Sequence, residues 1–298
     1  YPHHQRSRSR ASTSRSPRSR SRNRNARASP IGRTMLPESS PRHVRELKRA
    51  KFAEAAGIPL LLVGDSLGMV VMGYESTIPV TLEDILYHTK IVSRASSHAM
   101  VIADMPFMTC KINSTEALRN AARCLQEGGA QAVKLEGGES IKSTVQHIVQ
   151  AGIPVLGHIG FTPQSVHVFG GNVVQGKFKE EALKLVRDAK ALEEAGAFAI
   201  VLELVPATLA RLITCRLSVP TIGIGAGPSC DGQVQVWHDI LGMYPDFVPK
   251  HTRKFANLSV AINDALDQYV AEVKEGTFPN DTESFSMDKA LAEDLDKS

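Results

Sequence analysis

The feature that most constrains this chain is a series of short apolar runs that each stop at a polar residue or a glycine. Leu60-Leu-Leu-Val-Gly-Asp-Ser-Leu-Gly-Met-Val70 begins as a strand suited to burial on both faces and breaks at Gly64-Asp65-Ser66. Val101-Ile-Ala-Asp104, Ala132-Val-Lys134-Leu-Glu136-Gly-Gly, Val155-Leu-Gly-His158 and Ala199-Ile-Val-Leu-Glu203 repeat the pattern, and Thr221-Ile-Gly-Ile-Gly-Ala-Gly227 ends in glycines. Helix-like segments lie between them. Doubly buried strands alternating with helices build a parallel sheet, and ligands then bind at the strands' carboxyl ends. Helix capping explains one acid at such an end. It does not explain five successive ends carrying Asp, Asp, Lys/Glu, His and Glu.

The chain has 298 residues, of which the first fifty or so carry no folding signal. The remaining ~250 match a (β/α)8 barrel. The net charge of +4 is misleading, because residues 1–33 hold ten Arg and no acid, which leaves −6 for the rest. The globular part is thus mildly acidic, and a nucleic-acid surface is not expected on it. Cys110, Cys124, Cys215 and Cys230 form no Cys-x-x-Cys pair, which excludes the usual zinc and disulfide frameworks and points to a reducing compartment. No apolar run approaches the ~18 residues of a membrane span.

By composition the chain divides into a disordered Arg/Ser leader (1–40), a catalytic barrel (41–285) and a polar tail (286–298), with fraying expected to set in from Thr277. The leader, with Arg6-Ser-Arg-Ser-Arg10 and Ser14-Arg-Ser-Pro-Arg-Ser-Arg-Ser-Arg22, has almost nothing to bury. Its composition is that of an organelle transit peptide. A solvated tail, upstream sequence ahead of a start at Met35, and an RNA-binding Arg-Ser segment are the other readings. The chain opens on Tyr1, as a fragment would.

Residues 41–57 predict a helix with Pro41 in its first turn, a stripe of Val44, Leu47, Phe52 and Ala55, and Gly57 as its stop. Thr81-Leu-Glu-Asp84 predicts a capping box opening a helix to about Ser93. Further helices are expected over 114–127, 140–150, 179–195, 206–216 and 254–274. Strands are expected over 153–157 and 219–225, with a last short one at 247–250. Thr162 with Pro163 reads as a short helix start, and 168–178 as an irregular, lid-like loop.

Asp65, Asp104 and Glu136 at one barrel mouth would repel one another without a cation between them. An all-oxygen ligand set selects a hard ion, Mg²⁺ or Mn²⁺. Ser66 can add a hydroxyl or a backbone N–H. Lys134 shares a strand face with Glu136, and either binds a substrate carboxylate or pairs with the neighbouring acids. His158 either hydrogen-bonds a ligand or is structural. Glu203 follows an apolar run, and apolar surroundings make a carboxylate a better base. A base beside a metal that chelates a 2-oxo acid is the machinery of enolisation. Gly223-Ile-Gly-Ala-Gly227 fits an anion cradle or a tight turn equally well.

At these residues the chain resembles the ketopantoate hydroxymethyltransferase family. The matching strings are Val63-Gly-Asp-Ser-Leu-Gly-Met-Val70, Pro79-Val-Thr-Leu-Glu-Asp84, Ala103-Asp-Met-Pro-Phe107, Val133-Lys-Leu-Glu-Gly-Gly138, Gly157-His-Ile-Gly-Phe-Thr-Pro-Gln-Ser165, Leu202-Glu-Leu-Val-Pro206 and Gly223-Ile-Gly-Ala-Gly-Pro-Ser-Cys-Asp-Gly-Gln233. The resemblance covers about residues 50–285. It implies a (β/α)8 TIM barrel of the phosphoenolpyruvate/pyruvate type. It implies transfer of a hydroxymethyl group from 5,10-methylenetetrahydrofolate to 3-methyl-2-oxobutanoate, giving 2-dehydropantoate for pantothenate synthesis. It further implies Mg²⁺ on Asp65 and Asp104 with Glu136 close by or ligating, and oxo-acid contacts from Asp65, Ser66, Asp104 and Lys134, to which the strand pattern adds His158. Glu203 becomes the proton acceptor. A large homo-oligomer and a mitochondrial address, otherwise a cytoplasmic one, follow from the same resemblance.

One departure stands out. The family's first barrel strand should precede the helix that stops at Gly57, and Glu38-Ser-Ser-Pro-Arg-His-Val-Arg45 stands there instead. Seven strands are therefore expected where eight close a barrel. The alternatives to the transferase are a Mg²⁺-dependent carbon–carbon lyase acting on another 2-oxo acid and an inactive truncated pseudoenzyme.

Overall fold

The computed structural model describes residues 42–244 and 249–298, with the side chains of 42–47 left out. The leader and part of the strand expected at 247–250 lie outside the described residues, as do the side chains of Val44 and Leu47. The chain divides into one compact unit, Glu38–Ala265, and a second that contains Leu266–Ser298.

In the first unit strands and helices alternate. The strands are β1 (Leu60–Val63), β2 (Met100–Asp104), β3 (Ala132–Glu136), β4 (Val155–Gly160), β5 (Ala199–Glu203), β6 (Thr221–Ile224) and β7 (Gly232–Gln233). The helices are α1 (Arg42–Ala55), α2 (Leu67–Val70), α3 (Leu82–Ala95), α4 (Ser114–Gln126), α5 (Lys142–Gln150), α6 (Val166–Phe169), α7 (Lys179–Glu194), α8 (Ala207–Arg216) and α9 (Trp237–Ile240). α10 (Leu258–Glu275) and α11 (Lys289–Lys297) follow. The seven strands form one parallel sheet in the order β1 to β7. This is the architecture of a (β/α) barrel with one strand fewer than eight among the described residues. Among the described residues nothing pairs β7 to β1.

Strand parity divides the core in two. Val101, Ala103, Val133, Leu135, Val155, Ile159, Ile200 and Leu202 face the helices. Ile102, Ala132, Leu156, Ala199, Val201 and Ile224 form a second layer on the opposite face. Residues i and i+2 share a face, so Asp104, Lys134, Glu136, His158 and Glu203 continue this second layer at the carboxyl ends. Register sets their heights, since Asp104 pairs with Lys134, Glu136 with His158, and Gly160 with Glu203.

Local signals hold where their chemistry is complete. The Thr81/Asp84 box forms: the Asp84 N–H donates to Thr81 Oγ1 at 3.2 Å and the Thr81 N–H to Asp84 Oδ2 at 2.9 Å. Thr162 instead makes no side-chain cap, and a single 3-10 turn, Pro163–Ser165, follows it. Phe52 lies off the buried stripe of α1, being 64% exposed, while Ala50 and Ala53 are buried. The described seventh strand is Gly232–Gln233, a two-residue pairing with β6 that has no apolar pattern of its own. β4 runs through His158 to Gly160, later than the expected 153–157.

In the second unit Tyr269 and Phe278 pack ring to ring at 5.6 Å. The tail, expected to be frayed, carries α11, capped by Asp288 Oδ1, which accepts the N–H groups of Ala290 and Leu291.

Leu202 is fully buried between β5 and the helices. Leu202→Ala is expected to cost ~2–5 kcal/mol, read from the urea midpoint at unchanged slope. A loss below about 1 kcal/mol would show that this layer is not packed as described.

Candidate active site

The strand ends gather six side chains around Lys134. Its Nζ donates to Asp104 Oδ1 at 2.6 Å and lies 3.5 Å from Glu136 Oε1. The Asp65 N–H donates to Asp104 Oδ2 at 3.2 Å, which ties the turn after β1 to the end of β2. His158 lies between two acids, with Nδ1 3.5 Å from Glu136 Oε1 and Nε2 3.1 Å from Glu203 Oε2. These are ion-pair contacts without aligned hydrogen bonds, and both ring nitrogens are buried with no hydrogen-bond partner.

The backbone makes this convergence possible at Gly160. Its φ is +95°, and a Cβ there would sit 2.2 Å from the Glu203 carbonyl oxygen. Only glycine lets the end of β4 approach β5 this closely. The Phe161 N–H then donates to that same carbonyl at 2.8 Å.

Burial makes the cluster electrostatically tight. Asp65, Asp104, Lys134, Glu136 and His158 are all buried. Burial first, and Asp104 second, push Asp65 well above the usual carboxylate range. Burial also works against charge on Glu136, but Lys134 and His158 outweigh it and hold the group down at about 2. Burial opposes charge on Lys134, yet Asp104, Glu136 and Asp65 raise it above the ordinary ammonium value. For His158, burial and Lys134 oppose protonation, and the contacts with Glu136 and Glu203 overcome them to hold it at about 9. Buried ionised groups persist only when compensated in this way.

A family model described as ketopantoate hydroxymethyltransferase matches residues 45–281. The chain belongs to the ketopantoate hydroxymethyltransferase family. The 3-methyl-2-oxobutanoate hydroxymethyltransferase of Dehalococcoides mccartyi (strain CBDB1) is 59% identical over 248 residues, covering 83% of this chain and 89% of its own. That of Carboxydothermus hydrogenoformans is 59% identical over 244 residues, 82% and 88% of the two chains. Among solved structures, a phosphonopyruvate hydrolase superposes with a TM-score of 0.50 at 15% identity, covering 83% of this chain and 86% of that one. A phosphoenolpyruvate phosphomutase from Streptomyces platensis subsp. rosaceus gives 0.50 at 15%, covering 86% and 94%. At that identity the likeness is one of fold.

Of the expected site residues in this ketopantoate hydroxymethyltransferase family member, Asp65, Asp104, Lys134, Glu136, His158 and Glu203 come together. Ser66 sits in the turn beside Asp65 at the start of α2 and makes no side-chain cap bond. Among the described residues no three His, Cys, Asp or Glu side chains form a set able to hold a metal ion. All three carboxylates of the cluster are already engaged: Glu136 Oε1 faces Lys134 and His158 and its Oε2 accepts the Gln164 N–H at 3.1 Å, Asp104 accepts from Lys134 Nζ and from the Asp65 N–H, and Asp65 Oδ2 accepts from Gln164 Nε2. Glu203 does not lie in the wholly apolar pocket expected for it, because its side chain is 17% exposed and meets His158.

The glycines of 223–227 pack as a tight return. A Cβ at Gly225 (φ +66°) would meet Leu204, and one at Gly227 (φ +78°) would meet Ala207. A cavity of about 470 Å³ beside the ends of β3 and β4 is lined by residues that include Cys110, Thr144, Thr162 and Lys184, and by none of the six clustered side chains. All four cysteines are free. No described helix is long and apolar enough to cross a membrane. The reading from sequence missed Gln164, a buried residue inside the Gly-Phe-Thr-Pro-Gln-Ser string. The signal was there in the string, but nothing local marks a glutamine after a proline as part of a site.

The His158 shift fixes a pH dependence. A group held at about 9, above its ordinary 6.5, contributes stability that is fully present below 6.5 and lost as pH rises through 9. His158→Gln removes that contribution. The variant is therefore expected to lack the part of the stability loss between pH 6.5 and 9 that His158 supplies in the parent, a difference of up to about 3 kcal/mol. Parallel urea-midpoint curves for the two proteins would contradict the contacts described for His158.

Proposed function

We propose that this chain transfers a hydroxymethyl group from 5,10-methylenetetrahydrofolate to C3 of 3-methyl-2-oxobutanoate, giving 2-dehydropantoate for pantothenate synthesis. The observation that carries this reading is the convergence of six acid, base and cationic side chains at five consecutive strand ends. It occurs in a chain 59% identical to proteins that carry the name of that transferase.

A hard divalent cation fits the donor set. Three buried carboxylates face one lysine and one histidine, and two of the carboxylates, Asp65 and Asp104, are oxygen donors side by side. Mg²⁺ commonly takes only one or two protein carboxylates and completes its shell with water and substrate, so two donors suffice. We therefore propose Asp65 and Asp104 as its ligands, with Glu136 close by or ligating. When bound, the ion supplies Lewis-acid polarisation of the keto oxygen.

The chain's own residues do the rest. Lys134 supplies the positive charge beside a 2-oxo-acid carboxylate and helps hold Glu136 ionised. Glu203 takes the proton from C3; that carbon bonds to the methylene carbon of the folate, whose two carbon–nitrogen bonds break as the nitrogens take up protons, and water supplies the hydroxyl, leaving tetrahydrofolate. His158, 3.1 Å from Glu203 Oε2, orients this base. Its ring nitrogens make ion-pair contacts but no aligned hydrogen bond, which supports a role at the ligand, and Ser66 supplies a further polar group beside Asp65.

We also propose a homo-oligomer, which light scattering of the purified protein would measure. The mitochondrial address rests only on the Arg/Ser composition of residues 1–33 and on the resemblance; the relatives named above are bacterial.

The test is deuterium exchange at C3 of 3-methyl-2-oxobutanoate in D₂O with Mg²⁺ and no folate, followed by NMR. The parent protein is expected to exchange, and Glu203→Gln to be slower by at least about a hundredfold. Parent-like exchange in the variant would remove Glu203 from the role of base. Turnover of the oxo acid that proceeds without methylenetetrahydrofolate would favour a lyase.

A further inference from the structure

We propose that Gln164 is a positioning residue, whose side-chain amide fixes the Asp65 carboxylate for the divalent cation while its backbone N–H fixes Glu136. The proposal rests on the cation reading above.

Gln164 is 3% exposed and sits in the 3-10 turn that directly follows β4. From there it touches three other elements. Its Nε2 donates to Asp65 Oδ2 after β1 and to the Met105 carbonyl after β2, both at 2.9 Å. Its backbone N–H donates to Glu136 Oε2 at the end of β3. A carboxamide has two N–H donors, and here both are used. The orientation of the amide is therefore determined, because the flipped amide would set its oxygen against two acceptors.

Consider what this does to Asp65. One carboxylate oxygen is occupied by Gln164, and the backbone N–H of the same residue is tied to Asp104 Oδ2. Lys134 takes Asp104 Oδ1. The two aspartates are thus locked against each other and meet a cation as a fixed pair. Without the amide, a carboxylate beside Asp104 has every electrostatic reason to rotate away. Ligand groups must be held to within ~0.5 Å of the productive geometry, and outer partners that hold them are worth ~10–100-fold in metal affinity.

The remaining atom points the same way. Gln164 Oε1 is buried and has no hydrogen-bond partner. A buried acceptor left unpaired is costly. It is satisfied when the ligand brings a donor, a water or a hydroxyl, into the cluster.

The experiment measures Mn²⁺ binding to the full chain by the EPR signal of the free ion, together with the Mg²⁺ activation constant, the KM for the oxo acid and kcat. Gln164→Met keeps the length and removes both donors. Its Mn²⁺ dissociation constant and Mg²⁺ activation constant are expected to rise about tenfold, with KM rising more than kcat falls. Gln164→Asn keeps the amide on a shorter arm and is expected to recover part of that loss. Asn120→Ala, which removes an amide donor to the Thr109 carbonyl away from the cluster, is expected to bind Mn²⁺ like the parent. Parent-like Mn²⁺ binding in folded Gln164→Met overturns the proposal. If Gln164→Met does not fold, Gln164→Asn decides it by the same binding readout. Failure of the parent itself to bind Mn²⁺ overturns the cation reading instead.

Discussion

The site depends on a single buried ammonium. Lys134 lies among Asp104, Glu136 and Asp65 with almost no access to water. Each of those carboxylates would be expensive to bury alone, and breaking a buried pair leaves its partner uncompensated. With Lys134 in place, one charge holds the ends of β2 and β3 in register and leaves β1 and β4 to close around them. The same charge suppresses protonation of His158, so the imidazole needs both Glu136 and Glu203 to stay charged. Fold and chemistry are therefore coupled through the same few atoms.

That arrangement is still one negative charge in excess when Asp65 is ionised, before Glu203 is counted. The crowding shows in Asp65, which burial and Asp104 push toward its neutral form. A cluster in this condition favours a cation over a further anion, and its oxygen donors favour a hard cation. The unpartnered nitrogens of His158 and the unpartnered Oε1 of Gln164 lie in the same neighbourhood. Three buried polar atoms without partners in one place are unusual for a packed interior and are what a ligand-ready pocket needs.

Much of the fold was legible in the sequence because it follows from periodicity and cap chemistry. Apolar runs ending in polar residues located β1 to β6, and Thr81-Leu-Glu-Asp84 gave its helix start to the residue. The failures share a cause. Gly232–Gln233 becomes a strand only because β6 offers it an edge, and a two-residue pairing carries no apolar signature. Phe52 belongs to the right helix but lies off its buried stripe, because Ala50 and Ala53 allow the closer approach. The contacts of Glu136 with Lys134, His158 and the backbone of Gln164 likewise come from three different elements and carry no local signature.

The sequence by itself determined the class of fold and which strand ends carry charge, since alternation along a strand assigns each residue to a face. Only the tertiary structure decided how those charges are shared. Lys134 pairs with Asp104 across the β2–β3 register, Gly160 draws β4 against β5 so that His158 meets Glu203, and Gln164 reaches back from a turn 99 residues beyond Asp65 to hold it. Distances between side chains on different strands depend on register, turn geometry and burial, and none of these is written in any local stretch of the chain.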